Sequence, residues 1–331
     1  MKFFIFVLAL SSFAYAAAEV PLCGNEASKD SAPLRGHSNN INMSVDFLYW
    51  TIKEDGIGSD NWAQIATVES GNTTVLDVQT LSFNYAPGFR VGIGYDLPYD
   101  NWDTRLSYTW YRTHANDHIS TSGEITSPFF GNFYASNYKY KKASIHFSLL
   151  LNMFDWELGR KCQVSNGLSI RPFLGLKGGW INQTIKTKWS NPTLSAKENI
   201  KNDFWGVGPS GGLNTQWRIS GNECQFFSLI GDFSGALMWA NWSIPDKYTN
   251  SKPQEVTIRF EEFYSASLMF QTFMGFGWQR NFYKDAFRFS LRAGYELQFW
   301  LEQFQVNDWN VGKLNNQLTL LGGTIDFRFD F

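Results

Sequence analysis

The sequence predicts a single transmembrane antiparallel up-and-down β-barrel of about ten strands. Three observations predict it. The segment Gln317 to Phe331 alternates an apolar face (Leu321, Gly323, Ile325, Phe327, Phe329, Phe331) with a polar one (Gly322, Thr324, Asp326, Arg328, Asp330) and closes on an aromatic. Successive side chains of a strand point to opposite faces, so this is a strand with one greasy and one charged side. The chain carries 30 Phe, 14 Tyr and 14 Trp, yet its mean hydropathy is only −0.27. A barrel puts its membrane face at every second position, which reconciles the two. The third observation is that the connections alternate between short and long, as the periplasmic turns and outer loops of such barrels do. A soluble β-sandwich or jelly roll would also alternate along its strands, but it explains neither the loop alternation nor the terminal Phe.

The N-terminus precedes the barrel. Lys2, the apolar run Phe3 to Leu10 and the small-x-small Ala14-Tyr15-Ala16 have the order of a secretory signal peptide, expected over residues 1–18. Residues 19–41 are polar and are expected as a periplasmic segment, with the barrel over 42–331. Beyond the N-terminus no apolar run reaches the roughly 18 residues of a membrane helix.

The first strand sets Met43, Val45, Phe47 and Tyr49 against Ser44, Asp46, Leu48 and Trp50. Residues 57–80 are polar, with a turn signal at Glu69-Ser70-Gly71-Asn72. They form an outer loop or add a strand pair, which would raise the count to twelve. The second strand carries Phe89, Val91, Ile93 and Tyr95, turns through Leu97-Pro98-Tyr99-Asp100-Asn101, and meets the third, Trp102 to Trp110. After a long polar loop at 113–137, the fourth sets Ile145, Phe147, Leu149 and Leu151 outward against Ser144, His146, Ser148 and Asn152. The fifth spans about Ile170 to Ile185 and contains Gly175, Gly178 and Gly179, which permit the bend of a closing barrel. A loop at 189–201 leads to the sixth (Trp205, Val207, Leu213, Trp217), and a tight turn at 220–223 to the seventh (Phe227, Leu229, Phe233). Another long loop, 241–254, precedes the eighth strand, Ala266 to Trp278. The ninth, Phe287 to Phe299, has the cleanest pattern, and a loop at 303–313 returns to the terminal strand.

Two stretches resemble a known family. They are Val45-Asp46-Phe47-Leu48-Tyr49-Trp50-Thr51-Ile52-Lys53-Glu54-Asp55-Gly56, and Pro87-Gly88-Phe89-Arg90-Val91-Gly92-Ile93-Gly94-Tyr95 followed by Asn101-Trp102-Asp103 and Tyr108-Thr109-Trp110. The likeness is to the major-outer-membrane-protein-like pore formers of Legionella and chlamydia-related bacteria, strongest over 43–112 and collinear to the end. The resemblance implies a Gram-negative outer membrane, a pore-forming or structural role and no catalytic residues. Separately, the terminal strand resembles the assembly strand of outer-membrane barrels, with Ile325, Phe327, Phe329 and Phe331 as the expected signal to the barrel assembly machinery.

With the apolar positions on lipid, the expected pore lining includes Arg90, Asp103, Arg105, His146, Lys177, Arg218, Arg288, Arg292, Glu296, Asp326 and Arg328. Such an interior is either wet, with its charges solvated, or closed by cross-lumen ion pairs, and unpaired charges imply water. Arg90, Arg105, Arg288 and Arg292 are the candidates to attract anions, offset by the nearby acids. Ten strands lie nearer the side-chain-filled end of the barrel range, and twelve would give a narrow channel. The expected function is a porin passing small solutes and supporting the envelope. The alternative is a non-conducting structural or adhesive barrel displaying its outer loops. A hydrolase would need His146 beside Ser144 and Ser148, or His114 and His118 with Asp117, to act as a base. Cys23, Cys162 and Cys224 fall on the predicted periplasmic side; two paired internally and one linking a neighbour would resemble the crosslinked envelopes of chlamydial relatives. The cysteines lack metal-ligand spacing, so no metal or cofactor is expected. The formal charge of −2 with no basic stripe excludes nucleic acid as a partner.

Overall fold

The computed structural model describes residues 41–331 except 57–58, 70–72, 130–138, 222–224, 253–254, 260–261, 283–286 and 309–311. Among the described residues, fifteen strands follow in chain order: β1 (Ile41–Glu54), β2 (Ala63–Glu69), β3 (Thr73–Gln79), β4 (Ala86–Asp96), β5 (Trp102–Thr126), β6 (Tyr140–Arg160), β7 (Cys162–Ser165), β8 (Leu168–Ser190), β9 (Ser195–Gly221), β10 (Gln225–Ser243), β11 (Pro245–Asn250), β12 (Glu255–Arg259), β13 (Phe263–Phe282), β14 (Phe287–Asp308) and β15 (Gly312–Asp330). Ten of them close a ring in the order β1-β4-β5-β6-β8-β9-β10-β13-β14-β15, and β15 returns to β1. The closing pair runs antiparallel from Asn42↔Asp330 to Glu54↔Leu318. Ile41 and Phe331 exchange backbone hydrogen bonds of 3.1 and 2.9 Å at its end. The ten expected wall strands are therefore all present. The strand pair in 57–80 also exists, as β2 and β3, but it lies off the wall and pairs with the far end of β5.

The expected long loops are mostly strand. β5 runs on to Thr126, and the predicted loop at 189–201 is the end of β8, a turn at 191–194 and the start of β9. The turn is closed by Asn191 N–H donating to the Leu194 carbonyl at 2.9 Å. Likewise β10 reaches Ser243 and continues into the β11–β12 hairpin, while β14 and β15 extend across 303–313 with only 309–311 outside the described residues. About 9–11 residues per strand cross a bilayer, so β5, with 25 residues, projects well beyond it. These projections look like loops in sequence because their outward side chains are polar.

The sense of inside and outside changes along the barrel. Near the periplasmic end β6 turns Phe154, Trp156 and Leu158 outward, while Asp155 and Glu157 face in. Beyond Met153 the apolar set turns inward, and Ile145, Phe147, Leu149 and Leu151 are buried. The fourth strand therefore has the opposite facing to that expected above the membrane, with Ser144, His146, Ser148 and Asn152 on the outside. Water replaces lipid outside this part of the wall, so burial favours apolar side chains in the interior. The switch lies at an outward row of cross-strand neighbours, Trp110, Asn152, Trp180 and Trp205, and such interfacial aromatics mark the edge of a bilayer.

Candidate functional site

Within the membrane the lumen is lined by charges held in pairs. Arg90 donates to Asp46 at 3.0 Å and to Glu296 at 2.7 Å, and its Nε reaches Thr109 at 3.0 Å. Arg292 bridges Asp232 and Asp326, the former at 3.1 Å, and Lys177 pairs with Asp155. Arg171 forks onto Asp103 and Glu157, both at 2.6 Å, and donates to Asn214 at 2.8 Å. Inward-facing glycine makes room for it: a Cβ on Gly159 would sit 2.6 Å from the Arg171 guanidinium carbon. Arg171, Asp155 and Glu157 were absent from the expected lining. Arg171 sits at the start of the fifth strand, whose glycines blurred its alternation.

The expected lining residues Arg90, Asp103, Arg105, Lys177, Arg292, Glu296, Asp326 and Arg328 do face inward. Arg105 lies 3.4 Å from Asp103, and Arg328 donates to Asp330 at 2.7 Å. Arg218 and Arg288 lie at the periplasmic end. The first stacks 4.8 Å from the Phe226 ring centre, and the second donates to Asn281 at 3.1 Å. His146 is the exception, because β6 turns it outward. Its Nδ1 meets the Asn116 amide oxygen at 2.5 Å, and its ring lies 6.1 Å from that of His114. Burial, with His114 and Lys186 nearby, holds this imidazole below its ordinary pKa. It is not a lumen residue. A cavity of about 150 Å³ remains among these groups, with Arg105, Arg328, Asp232 and Asp326 in its lining.

Above the charges the lumen is filled. One apolar cluster takes buried side chains from nine wall strands, including Trp50, Tyr111, Leu151, Ile181, Phe204, Met238, Met269, Trp300 and Leu320, and Ala86 of β4 packs against it. Every wall strand contributes, so the cluster spans the whole cross-section. Trp50 Nε1 donates to Thr324 at 3.1 Å, and Phe204 meets the Trp242 and Trp300 rings edge-on at 5.1 and 6.2 Å. A second cluster continues the filling outward through Trp62, Phe129, Tyr140, Phe147, Trp189 and Phe304. Phe83, from the segment between β3 and β4, packs against both and meets Phe147 at 5.2 Å. Among the described residues, the charged lower lumen therefore lies beneath a layer of buried apolar side chains drawn from every wall strand.

Among the described residues, three acidic groups are buried in the outer part: Glu54, Glu198 and Asp246. Glu54 accepts from Gln183 at 2.9 Å, and burial holds its carboxyl well above the usual range. Asp246 is buried beside Glu198; burial pushes it up to about 7, and the hydrogen bond from Glu198 opposes this. Cys162 is buried at the start of β7, its Sγ 3.8 Å from the Arg160 carbonyl oxygen. Cys23 and Cys224 lie outside the described residues.

Residues 35–331 match the family described as Legionella pneumophila major outer membrane protein precursor. The chain belongs to that family. Membership makes it a bacterial outer-membrane protein, in agreement with the closed barrel and its lipid-facing aromatic wall. No curated protein matches the chain. Among solved structures it is similar to the outer membrane protease OmpT from Escherichia coli, at 12% identity and a TM-score of 0.41 over 88% of this chain and 97% of that one. It is also similar to the Pseudomonas putida toluene transporter TodX, at 9% identity and a TM-score of 0.29 over 91% of each chain. A Pseudomonas aeruginosa FadL homologue follows, at 9% identity and a TM-score of 0.24 over 89% of this chain and 90% of that one.

Proposed function

We propose that this family member works as a closed outer-membrane barrel: a non-enzymatic envelope component that presents a rigid β-extension on the cell surface. The observation that carries this reading is the apolar plug, to which every wall strand contributes. An ion entering from the charged lower lumen would have to leave its water to cross that layer, and desolvating a charge costs several kcal/mol. Hydrophobic constrictions block conduction by this dewetting. Ten strands are also close to the eight at which side chains alone fill a barrel.

The paired charges of both signs in the lower lumen favour a second reading, passive diffusion of small solutes through a plug that parts. Planar-bilayer recording of the refolded full-length protein tests both. The closed reading expects no steady channel events from the natural sequence, and their appearance in Trp50→Ala/Trp242→Ala/Trp300→Ala. Steady ohmic conductance from the natural sequence, unchanged by those substitutions, would overturn it and support diffusion.

A further inference from the structure

Outside the membrane, four adjacent strands (β5, β6, β8 and β9) line up their outward side chains in cross-strand rows. The rim row is Trp110, Asn152, Trp180 and Trp205. Above it come Arg112, Leu150, Asn182 and Asp203; then His114, Ser148, Thr184 and Lys201; then Asn116, His146, Lys186 and Asn199; then His118, Ser144, Lys188 and Lys197. Lys142 stands one row higher. On this face Arg112, Lys142, Lys186, Lys188, Lys197 and Lys201 are exposed, and no ion pair holds any of them among the described residues. Asp203 is the carboxylate among these rows, and it accepts from Asn182 at 2.9 Å. Elsewhere on the extension the exposed lysines do have partners: Lys53 with Asp55, Lys139 with Glu124, and Lys247 with Glu255.

Directly beneath the same strands the lipid-facing wall is grooved. The hollow, about 520 Å³, is walled by Phe154, Trp156, Trp180 and Trp205 over a floor at Gly178. A Cβ on Gly178 would come 3.2 Å from the Gly206 carbonyl oxygen and from Val207, so the glycine keeps this floor low. An apolar slot within the bilayer is thus followed upward by an unpaired cationic face that starts with Arg112 just above the tryptophan rim and reaches Lys188 and Lys197 about 26 Å above that rim along the strands. Clusters of Lys and Arg beside a membrane attract anionic headgroups, and charge-assisted hydrogen bonds to phosphate are among the strongest.

We propose that this face binds a phosphate-bearing lipid of the outer leaflet, its headgroup phosphates on Arg112, Lys201 and Lys186, with Lys188 and Lys197 extending the cationic field above them and an acyl chain in the tryptophan-walled groove. The assignment is independent of whether the lumen conducts. The lipid would fix the outer half of the barrel against the leaflet on one side, opposite the closing β1–β15 pair.

The test uses full-length protein refolded in neutral detergent and titrated with bis-phosphorylated lipid A, with bound lipid counted by native mass spectrometry. The expected result is saturable binding that falls at least about tenfold in Lys186→Gln/Lys188→Gln/Lys197→Gln/Lys201→Gln. It should be retained when the same four are changed to Arg, and in the control Lys53→Gln/Lys139→Gln/Lys247→Gln. Dephosphorylated lipid A should bind weakly, inorganic phosphate should not displace the lipid, and Trp180→Ala should weaken binding of the lipid without changing its salt dependence. Equal binding by the quadruple Gln variant, or equal binding of the dephosphorylated lipid, would overturn the proposal. Complete displacement by a soluble sulfated polysaccharide or by inorganic phosphate would also overturn it, by assigning the face to a polyanion or a free anion. Should the Gln variant fail to fold, as read from heat-modifiable gel mobility, the Arg variant and the dephosphorylated lipid decide the matter alone.

Discussion

Substituting Arg90 measures how dry the lower lumen is. Its guanidinium holds Asp46 at 3.0 Å and Glu296 at 2.7 Å. The three side chains are 16%, 6% and 1% exposed. Arg90→Met keeps most of the length and volume but leaves two inward carboxylates, on β1 and β14, without the cation they share. Removing one partner of a buried pair costs about 3–5 kcal/mol, whereas an ion pair in water contributes about 0–1 kcal/mol. Glu296 keeps hydrogen bonds from Gln271 at 2.8 Å, Gln298 at 3.1 Å and Thr324 at 3.0 Å. Most of the loss should therefore arise at Asp46. Neutralising the whole set, in Arg90→Met/Asp46→Asn/Glu296→Gln, should recover most of it, because no buried charge is then left alone. Urea unfolding of the refolded protein in detergent, followed by tryptophan fluorescence, gives both differences from the midpoint at constant slope. A loss below about 1 kcal/mol for Arg90→Met would mean that water already solvates the pair. The lower lumen would then be wet to this depth, and water would reach the charges directly beneath the plug.

Three further outcomes are expected. Deleting Phe331 removes the two backbone hydrogen bonds to Ile41 that end the closing seam, so the assembled, heat-modifiable fraction at the cell surface should fall; unchanged surface levels would remove the assembly role of Ile325, Phe327, Phe329 and Phe331. Gly275→Val should block folding, because a Cβ at Gly275 falls 2.6 Å from the Gly294 Cα and against the Ala293 carbonyl on the neighbouring wall strand; a refolding yield equal to that of the natural sequence would refute this. The third concerns Asp246, pushed up to about 7 by burial, with Glu198 opposing. Its folded pKa lies above the unfolded value of about 3.9, so the folded state holds the extra proton. That contribution is present below pH 4 and is lost as pH rises towards 7. Amide exchange in β11 and β12 should therefore speed up between pH 5 and pH 8 beyond its intrinsic rate, and Asp246→Asn should remove the difference. Slower exchange at pH 8 would contradict the sign.

The wall was legible because its apolar alternation reports contact with lipid. The ten strands, the pairing of the terminal strand with the first, and the inward facing of Asp326 and Arg328 all follow from Val45, Phe47, Tyr49, Ile325, Phe327 and Phe329 facing the same solvent. Alternation separates two faces without saying which is inside, and that limit caused the misreading of β6. A rule that apolar means outward holds for Phe154, Trp156 and Leu158 but reverses for Ile145 to Leu151, where water lies outside. It also hid the plug, since Leu48, Trp50 and Ile52 share the inward face of β1 with Asp46. Arg171 escaped for a different reason: its partners Asp103, Glu157 and Asn214 come from three other strands, and only the register brings them together.

A signal for the rim was nonetheless written in the chain. Where lipid gives way to water, the apolar set must change face, and a period of two can change face only by placing two apolar residues side by side. Tyr49-Trp50, Trp110-Tyr111, Met153-Phe154, Trp180-Ile181, Phe204-Trp205 and Phe299-Trp300 are such doublets, each with one member outward and the other in the central cluster. Each doublet serves both environments at once: its outward member belongs to the interfacial aromatics, and its inward member to the plug. The level of the bilayer edge and the level of the plug are therefore coupled in sequence. Moving one doublet by a residue would turn an aromatic from the plug to the lipid and a polar residue into the core. The same phase change explains the cationic face: once the apolar positions turn inward, every outward position of β5, β6, β8 and β9 is freed for charge. A linear scan sees only isolated lysines at every second residue, and the fold assembles them into one surface directly above the lipid.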